Sequence, residues 1–417
     1  MAPVQPTVKT RIPSLDLARG VAILGILLAN IAAFSLPEMA EQMGERQEVS
    51  LQDTWVIAFT NVFVSGKFRS MLAILFGAGL WLQFQKRSKL PDNWPGGYLK
   101  RTIFLGLIGL IHGYLIWFGD ILASYAITAL IVTFLVGLNP SVQKNLVIAG
   151  YAISAFFGLL AAVLMLAIGG GNSAVMFDAL SASQELSAYA HGSYLDQFTH
   201  RAWAYTISLS GFPLLLPHLI SLFLLGILLA RSGALAAPSR NPRVRRLCLS
   251  LGFCLGLPLN LLALLQIPMG ENPAYQYGAE FLGGPLLAPG YLMLLAMWSE
   301  SGFLPRLKRI LANVGRVALS AYLLQSILAT FLFYSWGLGW YGQLDHAGLL
   351  VVVLLIWGVA IIGANLWVKW FELGPVEWLW RSLTEGIRLP IRKERFREES
   401  QSDALPLPDE PRPGFQL

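Results

Sequence analysis

Apolar residues in this chain run in blocks too long for the core of a water-soluble domain, and the polar positions gather between them. Ten such blocks can be drawn, at about 15–36, 66–85, 101–118, 121–138, 146–168, 205–230, 246–267, 281–299, 310–335 and 347–370. A bilayer core about 30 Å thick needs about 20 apolar residues per helix, so the pattern predicts an all-α, polytopic integral membrane bundle of about ten transmembrane helices. The segment 51–65 fits either an extension of the second span or an amphipathic helix on the outer surface. Small residues stand at helical spacing in the first span (Ala18, Ala22, Gly25, Ala29) and the third (Gly106, Gly109, Gly113). Such stripes let membrane helices approach closely.

Composition agrees with the pattern. The 417 residues are 55% apolar and 13% charged, against about 25% charged in soluble domains. The distribution of positive charge then orients the bundle. With alternating spans and a cytoplasmic N-terminus, all but four of the 30 Lys and Arg fall on inner segments, the exceptions being Arg46, Lys67, Arg69 and Arg201. The positive-inside bias therefore predicts that both termini are cytoplasmic. The net charge of +6 is accounted for by anionic lipid, and no nucleic-acid partner is expected. No signal peptide is apparent, because the apolar stretch after Arg19 is too long for an ordinary signal h-region. Cys248 and Cys254 lie six residues apart within one span, where packing is the expected role. The organisation reads as a single membrane domain over 1–386, divided near 235/236 by a basic linker, with a charged, Pro-rich tail over 387–417 that reads as a disordered cytoplasmic segment.

Polar groups inside such spans need a reason. A charge at membrane depth costs about 2.5–3.5 kcal/mol on insertion scales, so it is rare there, usually paired and often functional. Asp16 and Arg19 open the first span three residues apart, on one helix face, where they can pair. Asn30 continues that face at 100° per residue and makes a polar stripe. Asn30 and His112 each stand eleven residues beyond a basic residue, Arg19 and Arg101, which at 1.5 Å per residue predicts a depth of about 16 Å, near mid-bilayer. A neutral imidazole there is either a base or hydrogen-bond donor, or a histidine satisfied by a neighbouring carbonyl. Lys67 and Arg69 read as snorkelling side chains or as an anion site at the outer mouth. Asp120, in a tight hairpin, either caps the fourth span or faces His112 or Lys67. The ninth span is polar, with Asn313, Arg316, Ser320, Tyr322, Gln325 and Ser326. Arg316 near its inner end is placed to bind phosphate or to pair with Asp16. Glu372, Glu377 and Arg381 surround Trp378-Leu379-Trp380, the composition of an interfacial amphipathic helix.

Other chemistries leave no trace in the chain. It contains no nucleophile elbow, Walker loop, HExxH or dinucleotide fingerprint. Its five histidines show no ligand spacing, so no metal is expected.

Specific strings add a resemblance. Ser14-Leu15-Asp16-Leu17-Ala18-Arg19-Gly20 running on to Asn30, then Gly66-Lys67-Phe68, Phe76-Gly77-Ala78-Gly79, and His112 with Gly119-Asp120-Ile121-Leu122, resemble the YeiB-like bacterial membrane proteins. So do Asn313 to Ser326, Gly337-Leu338-Gly339, and Phe371 to Arg381, within that family's C-terminal domain of unknown function. The Asp-x-x-Arg-Gly opening is similar, more distantly, to membrane acyltransferases that move acyl groups onto sugars and lipids.

That resemblance implies a multi-pass protein of the bacterial cytoplasmic membrane. It further implies an acyltransferase-like N-terminal part over 1–235 and a family-specific part over 236–386. An acyl-CoA would enter from the cytoplasm as co-substrate, with no bound cofactor, and the acceptor would be a hydroxyl or amine of an envelope glycan or lipid. Among those acyltransferases are the heparan-glucosaminide N-acetyltransferases, and Asn30 matches the asparagine late in their first span. The histidine those enzymes carry in the first outer loop is missing here, where Pro37 to Asp53 is acidic, and His112 becomes the substitute base. On this reading Arg19, Arg101 and Arg316 meet donor phosphates, Asp16 orients Arg19, and Lys67 and Arg69 face the acceptor. Asp120 and Gln325 complete the substrate-binding set. The competing reading is a transporter or lipid-binding protein that uses the same polar stripe without catalysis.

Overall fold

The structure is a computed structural model, described here for residues 12–36, 50–87, 94–168, 183–265 and 279–393. Most of the acidic first loop, the middle of the loop after the fifth span and the tail beyond 393 lie outside the described residues. So does the last part of the seventh expected span.

The described residues are helical over most of their length, with no strand among them. α1 spans Pro13–Ser35, α2 Leu51–Phe63, α3 Lys67–Arg87, α4 Gly96–Leu115, α5 Leu122–Leu135 and α6 Pro140–Ile168. α7 is the longest, Tyr194–Ser232, opened by a capping box in which Ser193 and Asp196 satisfy each other's main-chain amides. α8 follows as Pro242–Leu261, with a π-helical turn at Ser250–Gly256. α9 is Gly284–Glu300, α10 Pro305–Arg316, α11 Ala318–Phe333, α12 His346–Trp370 and α13 Pro375–Glu385.

The expected spans overlap helices over their described residues, the ninth falling on two, but not all are long enough alone to cross a membrane. Seven described helices have the length and apolarity to cross a membrane, and eight if a bent pair is one span. The bent pair is α10 and α11, which meet at 82° around Val317. The expected ninth span is therefore broken. The break is tolerated because Glu377, from α13, accepts the Leu319 N–H at 2.7 Å and the Ser320 N–H at 3.2 Å, supplying acceptors that the start of α11 lacks. The second span extends upstream, since Leu51–Lys86 counts as one candidate span of 36 residues across the turn between α2 and α3. α5 is short, at 14 residues.

α3 and α7 form the centre, where Met71, Ile74, Ala78, Phe223 and Ile227 are fully buried. α6 and α12 lie outside them and expose Phe156, Leu354, Leu355 and Ile362. In water that surface would cost about 25 cal/mol per Å², whereas lipid tails solvate it. A smaller core at one end unites Phe34, Trp117, Tyr189, Phe333, Tyr334 and Tyr341. α13 is the amphipathic helix expected around Trp378 and Trp380, and it docks by donating the Trp380 indole N–H to the Arg101 carbonyl at 2.7 Å. The chain then turns back, so that the Glu372 N–H donates to the Ile391 carbonyl at 3.1 Å.

Candidate functional site

His112 stands in the last turn of α4, three residues before Leu115. α4 begins at Gly96, five residues before Arg101, and ends at Leu115, soon after the histidine. Beyond it the chain turns sharply through Trp117 and Gly119 to Asp120. That turn decides the site. One oxygen of Asp120 accepts the Ala123 N–H at 2.9 Å and caps α5. The other lies 2.9 Å from His112 Nδ1, with both side chains buried. Asp120 thus fulfils two of the roles open to it at once.

A third donor arrives from far along the chain. The Tyr205 hydroxyl on α7 reaches Asp120 Oδ1 at 3.3 Å. Two small residues of the α4 stripe make room. A Cβ on Gly109 would sit 2.8 Å from the Asp120 carboxylate, and one on Gly113 would sit 2.2 Å from the Tyr205 ring. With main-chain and phenolic donors already on it, the carboxylate acts as an acceptor, and Nδ1 carries the imidazole hydrogen. The lone pair then belongs to Nε2. Nε2 is buried and has no hydrogen-bond partner among the described residues. The Tyr322 ring of α11 packs against the imidazole, 5.1 Å between centroids. One turn further on, both polar atoms of the Gln325 carboxamide are buried without partners. His112 and Asp120 are thereby set around one polar region, with Tyr205 and Tyr322 as members that sequence reasoning missed and Gln325 one turn along α11 from Tyr322. Tyr322 was visible as part of a polar helix. Tyr205 carried no signal, because its role depends on a contact across 85 residues.

Asn30 lies five residues before the end of α1 and is half-buried. The aromatic contact just beyond it joins α1 to the turn after His112: Phe34 stacks on Trp117 at 4.0 Å, and the Trp117 N–H donates to the Ala33 carbonyl at 3.4 Å. Asn30 and His112 therefore stand at the same end of the bundle.

The remaining expected residues divide between other places. Arg19 pairs with Asp16 at 3.1 Å and stands eleven residues or about 16 Å along α1 from Asn30. Arg316 pairs with Glu372 at 3.6 Å rather than with Asp16. The Arg101 guanidinium lies over the Trp380 ring, 3.9 Å from its centroid. Lys67 begins α3 and is fully buried, its ammonium donating to the Asn61 carbonyl at 2.5 Å, which corrects the snorkelling alternative. Arg69 is half-buried, and its carbonyl accepts the Tyr125 hydroxyl at 2.6 Å. An apolar groove of about 440 Å³, lined by Leu24, Gly25, Leu28, Phe68 and Trp357 among others, opens on the face of α1 opposite Asp16, Arg19 and Asn30, at 100° per residue.

Together these features define a multi-pass helical membrane protein with a buried histidine–aspartate pair at one end of its bundle. The chain belongs to the YeiB-like family. It is 34% identical over 389 residues to "Uncharacterized protein YeiB" of Escherichia coli (strain K12), covering 89% of this chain and 95% of the relative. It is 29% identical over 416 residues to "Uncharacterized protein YxaH" of Bacillus subtilis (strain 168), covering 94% and 99%. Residues 229–387 match the family described as "Protein of unknown function (DUF418)". No solved structure matches the chain.

Proposed function

We propose that this protein is an acyltransferase of the bacterial cytoplasmic membrane, crossing it ten times with both termini inside. It moves an acyl group from cytoplasmic acyl-CoA to a hydroxyl or amine of an envelope glycan or lipid. The observation that carries the reading is the His112–Asp120 pair. Asp120 holds Nδ1 at 2.9 Å and leaves Nε2 buried without a partner, the arrangement a general base requires.

In the step, Nε2 takes the proton of the acceptor hydroxyl as its oxygen attacks the thioester carbonyl. The carbon–oxygen bond forms, the carbon–sulfur bond breaks, and the leaving thiolate recovers the proton from the imidazolium. Asp120 stabilises that imidazolium. Asn30 and Gln325 hold the carbonyl and the acceptor. Arg19, oriented by Asp16, together with Arg316 and Arg101, meets the donor phosphates at the opposite end of α1. Arg69 lies on the acceptor side, and Lys67 acts structurally through the Asn61 carbonyl.

Radiolabelled acyl-CoA offered to the purified protein in nanodiscs, with envelope glycan and lipid extracts as acceptors, tests the reading. Label transfer by the wild type that falls about 10²–10⁴-fold in His112→Ala supports it. Acyl-CoA binding without transfer overturns it in favour of a transporter or lipid-binding protein, and transfer that His112→Ala leaves intact overturns the role of His112 as base.

A further inference from the structure

A second group of buried polar atoms lies one turn along α7 from Tyr205. Arg201 is 1% exposed. Its Nε donates to the Tyr114 carbonyl at 2.8 Å and its guanidinium lies 5.4 Å from the Tyr194 ring centroid. Nη2 is buried with no partner, and Arg201 makes no ion pair among the described residues. One turn back on the same face, Gln197 is fully buried. Its Nε2 donates to Ser335 Oγ at 2.7 Å, while its Oε1 has no partner. His200 Nδ1 is likewise buried and unpartnered.

Aromatic rings wall this region. Tyr189 stacks on Tyr334 at 4.3 Å, and Tyr341 lies 5.3 Å from Tyr189 while donating its hydroxyl to Glu185 at 2.8 Å. The frame is tied down by the main chain, with the Ser335 N–H on the Tyr189 carbonyl at 2.8 Å and the Gly342 N–H on the Ser35 carbonyl at 2.7 Å.

Buried polar atoms are nearly always satisfied, and a buried guanidinium nitrogen without a partner is a costly exception, here with the nearby Glu185 carboxylate already accepting the Tyr341 hydroxyl. The chemistry of the open atoms specifies what completes them. Nη2 only donates, and its planar fork fits an oxyanion. Gln197 Oε1 only accepts, and so asks for a hydroxyl. We propose that Arg201 and Gln197, walled by Tyr189 and Tyr334, form a binding site for a phosphate ester with a neighbouring hydroxyl, such as a phosphoglycerol group. Binding there stands without acyl transfer. Only its use as an acceptor subsite beside Asp120 and His112 rests on the reading above.

Thermal unfolding in phosphatidylcholine nanodiscs at fixed ionic strength reads the site directly. Glycerol 1-phosphate is expected to raise Tm saturably, inorganic phosphate to do so at higher concentration, and glycerol not at all. If the ligand is a lipid head group, phosphatidylglycerol nanodiscs raise Tm where the soluble ester does not. Either shift is abolished in Arg201→Met. In case that variant fails to fold, Arg201→Lys keeps the charge and loses the fork, and Tyr334→Phe keeps the stack and loses one hydroxyl. Each is expected to weaken binding at least about ten-fold. A wild type unmoved by either ester or lipid, or shifts unchanged in Arg201→Lys and Tyr334→Phe, overturns the site. Because no turnover is measured, that failure is separate from failure of the transferase reading.

Discussion

Gly315 and Asp16 bring their helices into backbone contact: a Cβ on Gly315 would lie 1.8 Å from the Asp16 carbonyl oxygen. Gly20 makes the reciprocal approach, since its Cβ would fall 2.0 Å from the Leu311 carbonyl. The crossing of α1 and α10 therefore sets Asp16, Arg19 and Arg316 at one end of the bundle. Gly315→Ala forces the helices apart and is expected to cost about 3 kcal/mol or more. Gly79→Ala is the contrast, because its Cβ would meet only Arg19 Nη2, at 3.8 Å. There the gain in helix propensity should stabilise by up to about 1 kcal/mol. Unfolding midpoints of the two variants in detergent should move in opposite directions, and parallel shifts would refute the contact.

Asp120 carries both stability and chemistry, so its variants should separate the two. Asp120→Ala removes the cap of α5 and leaves His112 Nδ1 and the Tyr205 hydroxyl without their acceptor. The expected loss is about 2–4 kcal/mol. Asp120→Asn retains an acceptor for Ala123 and should melt closer to the wild type, yet still lose label transfer, because the amide no longer fixes the tautomer or stabilises an imidazolium. Equal transfer by Asp120→Asn and the wild type would contradict the role given to the carboxylate.

Glu377 joins α13 to the start of α11. Burial raises its carboxyl above the ordinary carboxylate range, against the opposing effect of the hydrogen bonds from Ser320 and Leu319. A folded value above the unfolded one means stability is greatest with the group protonated and declines as pH rises through the raised value. Melting across about pH 4 to 8 should show this decline in the wild type and a flatter profile in Glu377→Gln. Glu377→Ala removes the acceptor altogether and should lower stability by about 1 kcal/mol or more. A slope retained in Glu377→Gln would assign the pH dependence elsewhere.

The Arg316–Glu372 pair is partly exposed and long, at 3.6 Å, so breaking it with Glu372→Gln should change stability by less than about 1 kcal/mol. Arg316→Gln is expected to weaken acyl-CoA binding instead, with wild-type affinity falling as salt rises. Titration at two ionic strengths checks both statements. Large destabilisation with unchanged affinity would make Arg316 purely structural.

Much of this was legible from local pattern. An apolar run long enough for a bilayer must satisfy its own backbone, and helix is the form in which one segment does so. The expected spans accordingly overlap helices over their described residues, although the ninth is split between α10 and α11. The Asp16–Arg19 pair was equally readable, because three residues on one helix are neighbours whatever surrounds them. The length of α4 was not. The apolar pattern put the span at about 101–118, while the helix itself begins at Gly96 and ends at Leu115.

The sequence by itself determined a polytopic helical membrane protein, its polar stripe and the residue types available for chemistry, since these follow from short-range spacing and the demands of lipid. Only the tertiary structure decided that Asp120 turns back onto His112, that Tyr205 and Tyr322 close around them, and that Arg201 is buried rather than lying at a surface. Those choices depend on which helix faces meet, and close packing settles that through contacts between residues tens or hundreds of positions apart.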